Sequence, residues 1–225
     1  MNRIYSLVYN VTLGQVQVAS ELAGGAVVSS RPQLRAGWRR QAMAVAIGLS
    51  VAGGGLAQTL PSGGVVASGS ASIGTPSANR LDISQASNKA VINWGSFGIG
   101  ANDTVAFTTP DASAVTLNIV GAGGGISLID GTLSSSGHVF LLNQNGVVFG
   151  DTAKVNVAGL VASAAGYTYD RSMHEQGTYL FDATGQTSAV AVAAGAVLTA
   201  AGPIILLGSK VTNNGTIQST AGAVN

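Results

Sequence analysis

Cysteine is absent from the 225 residues, so an oxidising compartment cannot cross-link the chain, which suits a chain that must thread through a pore and equally an ordinary protein that happens to lack Cys. Charge is scarce as well: only 8% of residues are Asp, Glu, Lys or Arg, a composition that does not describe a helical enzyme. The few charges are unevenly placed. Through Ala57 five arginines face the single Glu21, a net +4, whereas the remainder carries five bases against eight acids, a net −3. A mildly acidic body with scattered bases offers no footprint for nucleic acid. Mean hydropathy is positive at +0.39, yet no apolar run outside the first 57 residues is long enough for a bilayer.

What is abundant is small and β-branched. Thirty-two glycines with many Ala, Ser, Val and Thr fit short strands joined by tight turns. The most ordered stretch is Val139 to Gly150, VFLLNQNGVVFG. Two nearly unbroken apolar runs flank Asn143-Gln144-Asn145-Gly146, and Asn and Gly are the residues that tolerate a tight corner. Asn-Gly between apolar strands signals a hairpin, but unbroken apolar strands suit a buried wall with neighbours stacked above and below.

A repeat decides between those readings. Gly131 to Leu142 aligns without gaps to Ala196 to Leu207, with Leu133 on Leu198, Gly137 on Gly202 and the four-residue apolar runs superposed. Further starts fall at Val155, 22 positions after Leu133, and at Ile217, 19 after Leu198. A period near 20 with two short strands per unit is a solenoid signature. The expected fold is therefore all-β, a right-handed parallel β-helix. Its inward positions are Leu133, Val139, Leu141, Val155, Val157, Leu160, Leu198, Ile204, Leu206, Val211 and Ile217. Residues 63–118 do not fit the period and are expected to hold an N-terminal cap over the open end, after which Lys89 to Trp94 and Thr104 to Phe107 begin the coils. Trp94, Phe97 and Phe107 are read as packing. Between Gly166 and Gln186, four aromatics gather with Asp170, Arg171, His174 and Glu175, which predicts a hairpin lying against the side of the helix. A coil left unfinished at Asn225 is expected to mean either a truncated gene or a natural protein that continues far beyond this point.

The start of the chain reads as a leader. Trp38-Arg39-Arg40 precedes the apolar run 42–52, and Gly55-Leu56-Ala57 places small residues at −3 and −1 of a cleavage site before Gln58. That is a secretory signal. Gln41-Ala42-Met43 lacks the bulky apolar pair of the twin-arginine route, so Sec export is expected. The first 30 residues, beginning MNRIYSLVYN, resemble the extended signal-peptide region of very large exported bacterial surface proteins, a region that in those proteins delays inner-membrane transit. The expected division is a leader at 1–57, cleaved between Ala57 and Gln58, and a domain at 58–225.

Enzyme chemistry finds little support in the pattern. Parallel β-helices host polysaccharide lyases and hydrolases that use clustered carboxylates. Here Asp82, Asp103, Asp111, Asp130, Asp151, Asp170 and Asp182 are scattered in turn contexts, with no i, i+2 pair on one strand. His138 and His174 lack metal-ligand partners at useful spacing. Gly121 to Gly125 precedes no phosphate-loop lysine. No catalytic residue, cofactor or metal is expected. A carbohydrate-binding adhesin or a polysaccharide-cleaving enzyme is the alternative class.

Three stretches carry a resemblance: AVINWGSFGIG from Ala90, DASAVTLN from Asp111, and GHVFLLNQNGVVFG from Gly137. Through them residues 58–225 resemble the secretion domain of two-partner secretion exoproteins, the filamentous haemagglutinin family. The family corner is Asn-Pro-Asn-Gly-Ile; here Gln144 replaces Pro and Val147 replaces Ile. A second family motif has its nearest copy at Leu117-Asn118. The resemblance implies recognition in the periplasm by the POTRA domains of an outer-membrane barrel transporter, with Asn143, Gln144, Asn145, Gly146 and Val147 as the recognition motif and Leu117 and Asn118 as a weaker one. Asn143 and Asn145 could instead serve the corner's own folding, because Asn amides satisfy turn backbone groups in solenoids.

Overall fold

The computed structural model describes residues 5–10, 15–20, 60–182 and 185–221. The apolar run 42–52 and the junction of Ala57 with Gln58 lie outside them.

The body is a parallel β-helix of about six turns with three strand columns. One column stacks Arg80–Gln85, Thr104–Thr108, Thr132–Ser135, Lys154–Val157, Val197–Ala200 and Thr216–Ser219. A second stacks Lys89–Trp94, Val115–Val120, His138–Leu142, Gly159–Ser163 and Ile204–Leu207. The third holds Ser127–Ile129, Val147–Phe149, Ala189–Val192 and Lys210–Asn213.

Alternation along each strand decides what points inward. Leu81, Val105, Leu133, Val155 and Leu198 lie in one line through successive rungs, and each is buried. Leu133 and Leu198, matched by the sequence repeat, are thus two rungs apart with Val155 between them. Ile217 continues the line and is partly buried. Nine of the inward residues expected from sequence belong to the central core. Val211 differs. It stands in line with Val147 and Val190 but is 45% exposed, because no described rung covers it. An inward position is buried only when a rung lies on both sides.

Trp94, Phe97 and Phe107 pack in the central core, with Trp94 and Phe97 edge to face at 5.5 Å between ring centres. The cap is shorter than expected. Val65–Ser68 and Ala71–Ile73 are the antiparallel strands at the N-terminal end, but Arg80–Gln85 already pairs in parallel with the next rung. The coils therefore begin at Arg80, one strand before Lys89. Leu81 and Ile83 alternate inward there with Arg80 and Asp82 outward, so the local pattern is that of a rung. Close approach of cap to helix requires Gly64, where an added Cβ would stand 2.5 Å from the Trp94 ring.

A second apolar cluster lies outside the helix. Val91, Leu117, Phe140, Val161 and Ile205 face outward from the second column and are covered by Tyr167, Tyr179 and Phe181 of the excursion between Gly166 and Asp182. The excursion lies against the side of the helix as expected. It is more than a hairpin, since the six-residue helix Arg171–Gln176 joins its two strands.

Deleting buried methyl groups from such a column leaves a cavity that the neighbouring rungs cannot fill. Leu141→Ala, at a site with no exposure, is expected to lower stability by about 2–5 kcal/mol, read as a fall in the urea midpoint of the purified chain.

Candidate functional site

The corner Asn143 to Gly146 joins His138–Leu142 to Val147–Phe149. Gly146 closes it: its N–H donates to the Asn143 carbonyl at 2.9 Å and its φ is +116°, a conformation that an L side chain rarely adopts. Above and below, the Asn143 N–H donates to the Ser163 carbonyl and the Ser127 N–H donates to the Gly146 carbonyl. The corner is thereby stitched to the rungs on either side.

Asn143 is 1% exposed and its amide is fully used. Nδ2 donates to the Gly125 carbonyl at 2.8 Å and to Ser127 Oγ at 2.9 Å. Oδ1 accepts from the Asn145 backbone N–H at 2.9 Å and from Asn145 Nδ2 at 3.1 Å. Two donors and two acceptor sites are all that the side chain has. Val147 and Gly146 are buried too. Of the five motif residues, Gln144 is exposed and Asn145 half-buried. The Gln144 amide approaches the root of the excursion, 3.9 Å from where a Cβ on Gly166 would sit. Beside the corner on the preceding rung, Ile126 and Leu128 are exposed at 60% and 45%.

Leu117 and Asn118 are both fully buried, and their side chains part company as strand neighbours must. Leu117 joins the outer cluster under the excursion. Asn118 stands in the line of Ile92 and Leu141. There its Oδ1 accepts from Trp94 Nε1 at 3.0 Å, while Nδ2 donates to the carbonyls of Thr116 and Phe140 at 3.3 and 3.2 Å. The Trp94–Asn118 clasp was not legible in sequence, where Trp94 read as packing alone. Its only trace is a residue with a polar handle in an apolar strand.

The excursion is anchored by Lys89, Asp170 and His174 in roles that sequence reading did not assign. Lys89 Nζ donates to the carbonyls of His174, at 2.8 Å, and Glu175, placing an ammonium at the C-terminal end of the short helix where unpaired carbonyls collect. Asp170 caps the other end, accepting from the Met173 N–H at 3.0 Å. His174 is buried, with Nδ1 3.0 Å from the Tyr179 hydroxyl and the Tyr169 ring edge-on. A lone lysine opening the apolar strand KAVINW was the available signal.

Among the described residues the carboxylates form no cluster of three, although burial and then the neighbouring Asp151 raise the Asp130 pKa. Asp82 pairs with Arg80 at 2.8 Å, Asp111 binds the Ser113 N–H and hydroxyl, and Asp170 serves as the cap. Among the described residues no group of His, Asp or Glu could hold a metal ion.

Comparisons with known proteins agree with this geometry. Residues 57–225 match the family described as the TPS secretion domain. The chain belongs to that family. Residues 1–57 match the extended signal peptide of the type V secretion system, so the chain carries the leader and domain of a Gram-negative exoprotein exported through the periplasm to the cell surface. Over 107 residues it is 43% identical to a heme/hemopexin-binding protein of Haemophilus influenzae, covering 48% of this chain and 12% of that one. A second Haemophilus influenzae protein of the same name is 43% identical over 95 residues, covering 42% of this chain and 10% of that one. This chain therefore spans about a tenth of those relatives. The crystal structure of the HMW1 secretion domain from Haemophilus influenzae superposes with a TM-score of 0.59 at 27% identity, covering 70% of this chain and 41% of that one.

Two measurements follow from the site. Asn143→Ala removes four hydrogen bonds, among them the one to the buried Ser127 hydroxyl, so it is expected to cost about 1–3 kcal/mol. Gln144→Ala, at an exposed position, should stay within about 0.5 kcal/mol of wild type; urea midpoints of the two variants check both. The second concerns acid. Burial and then the Lys89 ammonium lower the His174 pKa to about 4, with Glu175 opposing, against about 6.5 in the unfolded chain. Folding therefore favours neutral His174, so its contribution is present above pH 6.5 and is lost as pH falls towards 4, by up to ~3 kcal/mol. His138 is lowered by burial in the same direction, so the test is the difference between wild type and His174→Gln. Wild type should lose more stability from pH 7.5 to 4.5, and parallel curves would refute the assignment.

Proposed function

We propose that residues 58–225 act as an export address, read in the periplasm by the POTRA domains of a dedicated outer-membrane barrel, and that whatever follows this domain is exported behind it. The observation that carries this reading is the match of residues 57–225 to the TPS secretion domain family. In this reading the Sec machinery engages the leader first, and cleavage between Ala57 and Gln58 releases the domain.

The corner supports a division of labour within the recognition motif. Asn143, Gly146 and Val147 are committed to the fold, so a partner reading the folded surface meets Gln144 and Asn145. A partner reading the chain before folding meets the whole motif as an extended strand, the form suited to strand addition. Leu117 and Asn118 are accessible only in that second case, since the folded domain buries both. With no nucleotide to drive transport outside the inner membrane, stacking of coils at the cell surface would give export its direction.

The domain is not an enzyme in this reading, and a polysaccharide cleavage assay should find no activity. Secretion into the medium is the decisive measurement, with the partner barrel present and absent. Wild type should appear outside only with the barrel, beginning at Gln58. Asn145→Ala should reduce secretion while the purified chain keeps its urea midpoint. Equal secretion without the barrel would overturn the export reading, and a loss of stability parallel to the loss of secretion would assign Asn145 to folding.

A further inference from the structure

The excursion has an outer edge, and the beginning of the leader occupies it. Thr178–Asp182 pairs on one side with Gly166–Tyr167 and on the other with Tyr5–Asn10, antiparallel, with Leu7 opposite Phe181, Val8 opposite Leu180, Tyr9 opposite Tyr179 and Asn10 opposite Thr178. Gln15–Ser20 folds back onto Tyr5–Asn10 in register from Tyr5 opposite Ser20 to Asn10 opposite Gln15. The result is one four-stranded antiparallel sheet, half leader and half secretion domain.

From this pairing we propose that Thr178–Asp182 is a strand-accepting edge whose occupant in the uncleaved chain is the leader segment Tyr5–Asn10, so that the edge opens when leader and domain separate. An edge strand presents a row of backbone donors and acceptors that any extended segment can satisfy. This edge is held ready for one. Tyr179 and Phe181 pack inward onto the face of Phe140 and Leu117, which fixes the strand before anything pairs with it. Leu180 points away and is 38% exposed. The 39 residues between Ser20 and Leu60 could span roughly 130 Å fully extended, so the connection does not restrict the pairing.

The consequence concerns timing. The apolar run 42–52 lies between the two halves of the sheet in sequence. Once that run enters the inner membrane and the body crosses, leader and body stand on opposite sides, and the sheet must come apart. Pairing therefore opposes the start of transit and is abolished by it. This extends the export reading to the leader without requiring the barrel partner, and it can be tested without either.

Because the chain has no cysteine, a pair introduced into the full-length uncleaved chain gives an unambiguous bridge. Opposed residues in an antiparallel pair have Cα atoms about 4.5–5.5 Å apart, within disulfide reach. Val8→Cys with Leu180→Cys should form an intramolecular disulfide in oxidising buffer. Ser6→Cys with Thr178→Cys, four residues out of register and so roughly 13 Å apart, should not. Bridging in both or in neither would overturn the proposal. As a second readout, Leu7→Pro with Tyr9→Pro should speed amide exchange at alternate residues of Thr178–Asp182 roughly tenfold or more, and unchanged exchange there would overturn it. Both experiments use purified protein with no transporter, so their failure would leave the export reading standing.

Discussion

Every rung of this helix depends on the in-register backbone ladder to the rungs before and after it. A single coil of some 20 residues cannot enclose its own apolar side chains, whereas stacking lines Leu81, Val105, Leu133, Val155 and Leu198 into a dry column. The ladder also explains the composition. Polar atoms inside such a column would lose water with nothing in exchange, so charge is confined to corners and outward faces. Glycine and Asn supply the corners, where the chain must turn while its amides keep bonding along the stack.

Two buried amides serve that ladder. Asn143 bonds across to Gly125 and Ser127 on the previous rung, and Asn118 ties Trp94 of one rung to the Phe140 carbonyl of another. Each spends its amide on positioning neighbours. This gives the family motif a physical meaning apart from any partner: Asn-x-Asn-Gly is a corner in which one side chain replaces the bonds that a turn leaves open. The residues that reach the surface are Gln144, the half-buried Asn145, whose amide still donates to Asn143, and the nearby Ile126 and Leu128. Family membership assigns export to the domain, and the geometry separates the residues that build it from those that face outward.

The excursion shows a different economy. Its aromatics cover an outer apolar face that a plain solenoid would leave wet, and Lys89 and Asp170 hold the short helix at its two ends. The same arrangement leaves Thr178–Asp182 with an edge opposite Gly166–Tyr167, with which Tyr5–Asn10 pairs. Covering one apolar surface thus generates a new pairing surface.

The β-helix, its approximate period, its inward residues and the corner at Asn143 were legible in the linear chain, because a strand's facing alternates locally and a repeat aligns itself. The leader and the family were legible for the same reason, since their motifs are contiguous. Other features needed the folded molecule. Whether Arg80–Gln85 is cap or rung depends on which strand lies beside it. The exposure of Val211 depends on a neighbour's absence among the described rungs. The clasp of Trp94 with Asn118, the anchoring of His174 by Lys89 from 85 positions away, and the pairing of Tyr5–Asn10 with Thr178–Asp182 all join residues distant in sequence. Local alternation fixes which way a side chain points, but only stacking determines what it meets.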